Sequence, residues 1–456
     1  MNISKSCLLR LTRKNQLHFQ TKTVSCINRC IHHDGGRMTP IEKIVFDSIK
    51  ASGPIPVSTY MQLCLSHPEE GYYTKMREGT KDIFGKNGDF ITSPEISQVF
   101  GEMISLWLLS MWNQPDVNGQ FTTFRVLELG PGRGTMISDL VHTYSNWPSV
   151  INAMTGIHLV ETSSFMRLLQ AKNIQFPKDK LHWYDSIEDI PPAADNEFTM
   201  VIAHEFFDAL PISILQEGRY SNHSLITTLV KNPNGYREIL VDLVEKPVGQ
   251  SPQQNLKFVV SQEQTLRSEF LARLSNRYSN LPDGTRIEVS AAAWRIAHKI
   301  GEIVGRSKQD TSEIPKGAAL VIDYGDEHVF NGSFRAFKKH GITNVFDQPG
   351  YCDLTANVDF TLLKEAARDV AKTYGTIDQA TFLTRMGISL RLERMLQHVT
   401  DHARRLELQK AVGRLIDTSG QGMGGVYKVM GISGWPERKE EVWPFIPLEK
   451  TENRPQ

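Results

Sequence analysis

Three glycines behind an acidic residue form the stretch of this chain that is best suited to bind a small ligand. Val126 and Leu127 lead into Glu128-Leu129-Gly130-Pro131-Gly132-Arg133-Gly134, and apolar residues then recur at helical spacing over 136–141. This order predicts a buried strand, a tight glycine loop and a helix. Free N–H groups at the helix N-terminus suit an anion, whereas Glu128 suits a cation. A ligand that carries both charges therefore fits best.

The glycine spacing argues against two well-known phosphate-binding loops. A dinucleotide fingerprint would need its third glycine where Thr135 stands, and a P-loop would need a Gly-Lys-Ser/Thr that is absent. The E-x-G-x-G-x-G form instead resembles the first motif of class I S-adenosylmethionine-dependent methyltransferases. That resemblance implies S-adenosylmethionine as cofactor, with Gly130, Gly132 and Gly134 as binding residues beside Glu128. A tight turn without any ligand is the alternative.

Two further acidic residues stand at the ends of candidate strands. Glu161 follows the apolar run 157–160, and Asp185 follows 181–184. Ligands of doubly wound sheets bind beyond the carboxyl ends of the strands, where a carboxylate can accept hydrogen bonds from ribose hydroxyls. We therefore predict cofactor contacts for Glu161 and, through the adenine amino group, for Asp185. A solvated loop acid is an equally good interpretation of Asp185.

A fourth candidate strand, 198–203, delivers the residues with the most obvious catalytic chemistry. A guanidinium is a poor nucleophile, so a site that modifies arginine needs carboxylates to orient it and accept its proton. Glu205 and Asp208 are the candidate catalytic residues, and Phe206 or, in our assignment, Phe207 would stack on the substrate. The alternative is that Glu205 caps a helix and both phenylalanines belong to the core. We find no serine or cysteine nucleophile signature.

The elements around these residues alternate between short apolar strands and helices, which predicts an α/β doubly wound, Rossmann-like sheet. Its first part covers 116–211 and its resumed part 290–350, where the strand 318–325 brings Tyr324 to the same edge as a candidate substrate contact. Strand-like runs at 225–230, 237–244 and 257–260 indicate an antiparallel insertion over 212–289. The C-terminal region, 351–456, is predicted to be helical to Ile416, with a final strand at 424–430.

A helical region over 37–115 is predicted to precede the sheet. One helix begins at Thr39-Pro40 and another lies near 60–65, and a polar loop with Gly79, Gly85 and Gly88 could serve as a lid. The next helix begins at Ser93 or Thr92, with apolar residues continuing to Met111. Ser93 and Glu95 are candidate substrate or lid residues that face the glycine loop. The interpretation that both residues serve only as helix caps is equally good.

Composition narrows the classes of partner. The chain has 456 residues, and its 51 Lys and Arg balance its 51 Asp and Glu. That balance gives no reason to expect nucleic acid or an anionic membrane as partner. No apolar run approaches the roughly eighteen residues of a transmembrane helix. Cys64 and Cys352 offer neither a disulfide framework nor a metal cluster, so we predict no metal site.

The N-terminus is compositionally distinct. Residues 1–33 lack Asp and Glu but carry six Lys or Arg among Ser, Thr and Leu. This bias is typical of a mitochondrial transit peptide, which we assign to 1–36, although a disordered basic tail has the same composition.

Several strings along the chain resemble the MidA-like family of mitochondrial arginine methyltransferases that act as complex I assembly factors. They extend over about residues 40 to 390 and are far more specific than the glycine loop alone. The matching strings are Gly71-Tyr72-Tyr73, Gly88-Asp89-Phe90-Ile91-Thr92-Ser93-Pro94-Glu95-Ile96-Ser97, Glu128–Thr135, His204-Glu205-Phe206-Phe207-Asp208-Ala209-Leu210-Pro211, Asp323-Tyr324-Gly325 and Asp353-Leu354-Thr355-Ala356-Asn357-Val358-Asp359-Phe360.

The resemblance implies an enzyme of the mitochondrial matrix. It implies symmetric dimethylation of an arginine on a peripheral-arm subunit of complex I, early in assembly. Residues after about 390 match less clearly, and we assign them no function. Two other classes stay open at this point, a non-catalytic assembly scaffold with the same fold and a small-molecule methyltransferase.

If residues 1–36 direct import, we expect the mature protein to lack them, because transit peptides are removed after translocation. N-terminal sequencing of the protein purified from the matrix fraction checks this. A mature chain that still begins at Met1 would contradict it.

Overall fold

The computed structural model describes most of the chain, in eight ranges: 38–75, 92–114, 121–218, 235–245, 255–282, 284–305, 316–434 and 441–447. Three expectations fall outside these ranges, namely the transit peptide over 1–36, the glycine-containing lid loop over 79–88 and the strand at 225–230.

The N-terminal region is mostly helical, as expected, but it also contains a two-residue strand and a break in the expected long helix. Its elements are α1 Pro40–Ser52, β1 Ile55–Pro56, α2 Val57–Ser66, α3 Ser93–Ile96 and α4 Gln98–Trp112. One continuous helix was expected from Ser93 to Met111, but the chain breaks at Ser97. Ser97 is extended (φ −159°), and its side chain accepts a hydrogen bond from the Val99 N–H. Ser97, rather than Thr92 or Ser93, is therefore the side-chain cap of the long helix.

The first part of the central sheet follows the predicted alternation of strands and helices. Its elements are β2 Thr123–Leu129, α5 Thr135–Tyr144, α6 Pro148–Ala153, β3 Met154–Val160, α7 Ser164–Asn173, β4 Leu181–Tyr184 and β5 Glu197–His204.

The next segment contributes to a separate antiparallel sheet. Its elements are β6 Ser213–Gly218, β7 Gly235–Leu243, β8 Leu256–Val260, α8 Leu266–Ala272 and β9 Arg286–Val289. The order of this sheet is β1-β7-β6-β9, with β8 also paired to β7. Because β1 pairs with β7 through Ile55 and Val241, the N-terminal region contributes a strand to this sheet. The helix α8 had no sequence prediction.

The last segment of the chain returns to the central sheet. The elements of this segment are α9 Ala291–Val304, β10 Gly317–Asp326, β11 Arg335–Lys338, β12 Gly341–Thr343, β13 Asp353–Thr355, β14 Val358–Asp359, α10 Phe360–Ala367, β15 Lys372–Asp378, α11 Gln379–Arg385, α12 Ile388–His398, α13 His402–Ile416 and β16 Tyr427–Ser433. Strands β11, β12 and β13 form a separate antiparallel sheet in the order β12-β11-β13, and β14 pairs with the end of β10. The prediction of a largely helical stretch from Leu354 to Ile416 missed β15. That strand has the β-branched and aromatic composition of an edge strand and pairs with β16.

The central sheet has the order β15-β16-β10-β5-β2-β3-β4. Strands β4, β3, β2, β5 and β10 are parallel, and β16 runs antiparallel between β10 and β15. The chain direction across the sheet reverses at β2, which places the topological switch point at the end of the glycine-loop strand. The sequence prediction of a doubly wound, Rossmann-like α/β sheet is confirmed.

Helices cover both faces of this sheet. Phe124 and Val126 of β2 pack into a cluster with α4 and α5, while Leu127 and Leu129 pack on the opposite face with α9 and α10. Both faces being buried explains why these strands are continuously apolar. Among the described helices, none combines the length and apolar character needed to cross a bilayer.

Close strand packing leads to a stability prediction. A Cβ on Gly317 in β10 would lie 2.3 Å from the carbonyl oxygen of Thr199 in β5, whereas a Cβ on the exposed Gly413 of α13 meets nothing within 4 Å. We expect Gly317→Ala to lower the free energy of unfolding by about 1–3 kcal/mol through overpacking. Gly413→Ala should raise it by about 0.5–1 kcal/mol. Urea unfolding of both variants checks the pair, and a shift in the same direction for both would contradict it.

Candidate active site at the carboxyl edge of the sheet

The parallel strands end at a common level, so the acids that follow them are neighbours. Leu129 of β2 is in register with Val160 of β3 and Ala203 of β5, and Ile322 of β10 is in register with His204. Adjacent strands lie about 4.8 Å apart. Register alone therefore gathers the glycine loop, Glu161, Glu205 and Tyr324 along one edge.

The glycine loop has the backbone that its sequence predicted. Gly130, Gly132 and Gly134 all have positive φ, at 63°, 50° and 79°, and α5 begins directly afterwards. Residues that have a side chain rarely adopt these backbone angles. A Cβ on Gly130 would lie 2.9 Å from the Phe206 ring, so the loop lies directly against the segment after β5.

Glu128 is buried at the end of the strand that precedes this loop, and its surroundings show whether a cationic ligand would fit there. Its Oε2 has no hydrogen-bond partner among the described residues. Burial, and secondarily the charge of Asp139, raises the pKa of Glu128 to about 8. Burial and Glu102 likewise raise the pKa of Asp139 to about 7. A buried acid with an unpartnered oxygen gains from a positive ligand, which suits the amino and sulfonium groups of S-adenosylmethionine.

Glu161 lies at the end of β3, and other residues hold its carboxylate. Oε1 accepts a hydrogen bond from the Ser163 N–H at 2.8 Å, and Oε2 accepts one from Gln170 at 3.2 Å. Burial raises the pKa of Glu161 despite these donors. Each oxygen keeps further lone-pair capacity for ligand hydroxyls.

Asp185 differs from the other predicted cofactor residues. Its side chain is 77% exposed, and its Oδ1 lies 2.6 Å from a guanidinium nitrogen of Arg167 in α7. The structure therefore places Asp185 in a surface ion pair beyond β4, not among the buried acids.

Glu205 lies in the strained turn after β5. Its φ is 48°, which is unfavourable for a residue with a side chain and is often found at functional sites. The Tyr427 hydroxyl and the Ser93 N–H approach its carboxylate and act to lower its pKa. His204 Nε2 lies 3.3 Å from Oε1, but Oε1 makes no hydrogen bond among the described residues. Burial, followed by the charge of Asp208, raises the pKa of Glu205 to about 8.

Asp208 follows three residues later, is buried and has a different set of neighbours. The Tyr324 hydroxyl donates to its Oδ2, whereas Oδ1 has no partner among the described residues. Burial raises the pKa of Asp208 to about 6, and the Tyr324 hydrogen bond and the Arg335 charge oppose this rise. The Arg335 guanidinium lies 5.0 Å from the Tyr324 ring centroid, which also holds that ring in place.

The predicted substrate or lid residues occupy distinct places. Ser93 is buried and its backbone N–H acts to lower the pKa of Glu205, and Glu95 Oε1 lies 3.7 Å from a guanidinium nitrogen of Arg133 in the glycine loop. Helix α3 thus contacts both the loop and the catalytic candidate. Phe207, in contrast, is only 3% exposed and packs in the apolar core with α9. Phe206 is the phenylalanine that faces the glycine loop.

Sequence reasoning missed several residues of this site. Asp323, at the end of β10, accepts hydrogen bonds from the backbone N–H groups of Phe206, Phe207 and Asp208. Tyr427 comes from β16, and Tyr73 donates to Asp353 at 2.7 Å. Asp323, Tyr73 and Asp353 were in strings that resembled the family, but only the fold reveals their contacts. Among the described residues, no group of His, Cys, Asp and Glu is arranged to hold a metal ion.

Comparisons with known proteins agree with this geometry. Residues 103–377 match the model of a family described as candidate S-adenosyl-L-methionine-dependent methyltransferases. A zebrafish (Danio rerio) protein named protein arginine methyltransferase NDUFAF7, mitochondrial, is 35% identical and covers 91% of this chain and 90% of its own length. The human protein of that name is 32% identical, with 84% and 82% coverage.

A solved structure shares the fold. It is a protein from Burkholderia thailandensis bound to S-adenosyl-homocysteine, with a TM-score of 0.65 and 23% identity. The match covers 86% of this chain and 91% of that protein.

The positive φ of Gly132 leads to a binding prediction. We expect Gly132→Val to abolish S-adenosylmethionine binding in a folded protein, because a β-branched side chain resists φ of 50° and would fill space beside the ligand. Gly53→Val is the matched control, since Gly53 also has positive φ but lies at the end of α1 in open space. Calorimetry should show near wild-type affinity for the control only. Tight binding by folded Gly132→Val would show that the loop is not the site.

Proposed function

The chain belongs to the S-adenosylmethionine-dependent methyltransferase family of the NDUFAF7 proteins, and on this premise we propose that its substrate is an arginine of another protein. The observation that carries the proposal is the pair Glu205 and Asp208. Each keeps one buried carboxylate oxygen without a hydrogen-bond partner among the described residues, and the turn that carries them packs its Phe206 ring against Gly130 of the glycine loop. A guanidinium has five N–H donors and no acceptor, so it complements two such oxygens.

We assign the two carboxylates different roles. Asp208, whose pKa is the lower and whose Oδ2 is held by Tyr324, is ionised at neutral pH and orients the guanidinium. Glu205, with a pKa of about 8, keeps its proton in the free protein and loses it when a cation enters beside it. It then accepts a proton from the reacting nitrogen. Two acids with separated pKa values divide orientation from proton transfer.

The remaining chemistry is alignment. S-adenosylmethionine supplies, when bound, a methyl group on a sulfonium that is susceptible to direct displacement. Gly130, Gly132, Gly134, Glu128 and Glu161 would hold it at the edge of the sheet. Because the Phe206 ring lies against Gly130, the turn that carries Glu205 is fixed relative to the cofactor loop. Such fixed geometry accounts for much of the rate enhancement of a displacement reaction.

The finer functional assignment rests on the family resemblance. We propose symmetric dimethylation of a peripheral-arm subunit of complex I in the mitochondrial matrix, in line with the mitochondrial NDUFAF7 relatives. Mass spectrometry of peripheral-arm subunits, from mitochondria with and without this protein, tests the proposal. A symmetric dimethylarginine that disappears without the protein is expected. An unchanged set of methylated arginines would contradict the proposal.

Glu205→Gln gives the sharpest test of mechanism. We expect turnover to fall by about two to four orders of magnitude, as for loss of a positioned acid–base group, with unchanged cofactor affinity. Asp208→Asn should show a smaller or similar loss. The exposed Glu407→Gln on α13 is the matched control and should retain full activity.

The pH dependence gives the same test a second readout. A protonated Glu205 cannot accept a proton, so kcat/KM should rise with pH and level off above about 8. In Glu205→Gln, kcat/KM should no longer rise with pH in this way. Normal methylation by Glu205→Gln would leave Glu205 with a structural role only. Support of complex I assembly by inactive variants would favour a scaffold.

A further inference from the structure

Gln170 is a fully buried polar side chain of α7 that joins three parts of the cofactor edge. Its Nε2 donates to the carbonyl oxygen of Gly132 at 2.7 Å and to Glu161 Oε2 at 3.2 Å. Its Oε1 accepts from the indole Nε1–H of Trp183 in β4 at 2.9 Å. The three contacts belong to three separate elements: the glycine loop, the end of β3, and β4.

The chemistry of the neighbours permits one orientation of the Gln170 amide. An indole N–H can only donate, so it must face the amide oxygen. A backbone carbonyl and a carboxylate can only accept, so the amide NH₂ must face Gly132 and Glu161. Every polar atom of the side chain is then satisfied in a dry environment, where a fully bonded network is rigid.

The two acceptors belong to opposite halves of the cofactor site. Gly132 lies at the centre of the glycine loop, whereas Glu161 is the candidate ribose contact at the end of β3. Glu161 is held on its other oxygen by the Ser163 N–H, so Gln170 completes its support. We infer that Gln170 is a positioning residue: it acts through Gly132 and Glu161 to preset the two halves of the cofactor site, and Trp183 orients it. This inference rests on the cofactor site of the proposed function but not on the identity of the methyl acceptor.

Gln170→Glu tests the inference with almost no change in shape. The new carboxylate can still accept from Trp183, but its second oxygen faces two acceptors, Gly132 O and Glu161. We expect the Kd for S-adenosylmethionine and S-adenosyl-homocysteine, measured by calorimetry, to rise about 10–100-fold, as when a supporting residue behind a ligand contact is lost. Gln175→Glu is the matched control, because Gln175 is exposed and bonds only to the Lys172 carbonyl among the described residues. It should bind normally.

A double-mutant cycle separates positioning from general damage. Glu161→Gln combined with Gln170→Glu restores an amide–carboxylate pair in the reverse direction. The fold-increase in Kd of the double variant should therefore be at least about threefold smaller than the product of the fold-increases of the two single variants. Additive losses would overturn action through Glu161. Unchanged affinity in folded Gln170→Glu, or an equal loss in Gln175→Glu, would overturn the inference altogether.

Thermal unfolding establishes that each variant is folded. If Gln170→Glu does not fold, Trp183→Phe replaces it, since this change removes the indole donor that orients the amide and keeps an aromatic ring at the position. We expect it to weaken cofactor binding about threefold or more, and unchanged affinity would again overturn the inference. All of these measurements use cofactor alone. Failure to modify arginine would therefore leave them interpretable, and their failure would not touch the arginine proposal.

Discussion

The carboxylate of Asp323 fixes the turn on which both catalytic candidates depend. Its Oδ2 accepts from the N–H groups of Phe206, Phe207 and Asp208 at 2.9–3.3 Å, and its Oδ1 accepts from its neighbour Tyr324. Without this acceptor, three N–H groups of a largely buried turn would lose their partner, at about 1–3 kcal/mol each. The left-handed backbone at Glu205 persists because the surrounding bonds determine it. Asp323 thus sets the geometry of the turn that carries the two catalytic candidates.

The same concentration of acids determines how the site responds to charge. Burial, with repulsion from Asp208 and Glu205, raises the pKa of Asp323, and burial with Asp208 raises that of Glu205. A group with a raised pKa binds more protons in the folded than in the unfolded chain, so the folded state loses stability as pH rises through that pKa. A cationic ligand reverses this penalty by lowering the pKa values. The buried carboxylates of this site do not each have a cation of the protein beside them. Their burial therefore lowers the stability of the free protein and favours the binding of positively charged ligands.

Sequence predicted the parts of this structure that depend on local pattern. The glycine loop, β2 to β5, β10 and α9 have periodicity and turn signals within a few residues, and their order implies the common edge. β15 escaped prediction because it depends on pairing with β16, far along the chain. The break at Ser97 was not predicted because a serine that caps a helix and a serine inside a helix look alike in the sequence. Phe206 and Phe207 could not be told apart, since only the path of the turn decides which ring faces the loop.

The short helix α3 explains why the string Thr92-Ser93-Pro94-Glu95 is as informative as the glycine loop. Its first residue, Ser93, acts to lower the pKa of Glu205, and Glu95 approaches Arg133 between Gly132 and Gly134. The acid that would accept a proton and the loop that would hold the cofactor are therefore tied to one rigid turn. The break at Ser97 gives α3 a direction of its own, which a continuous helix from Ser93 to Met111 would not permit.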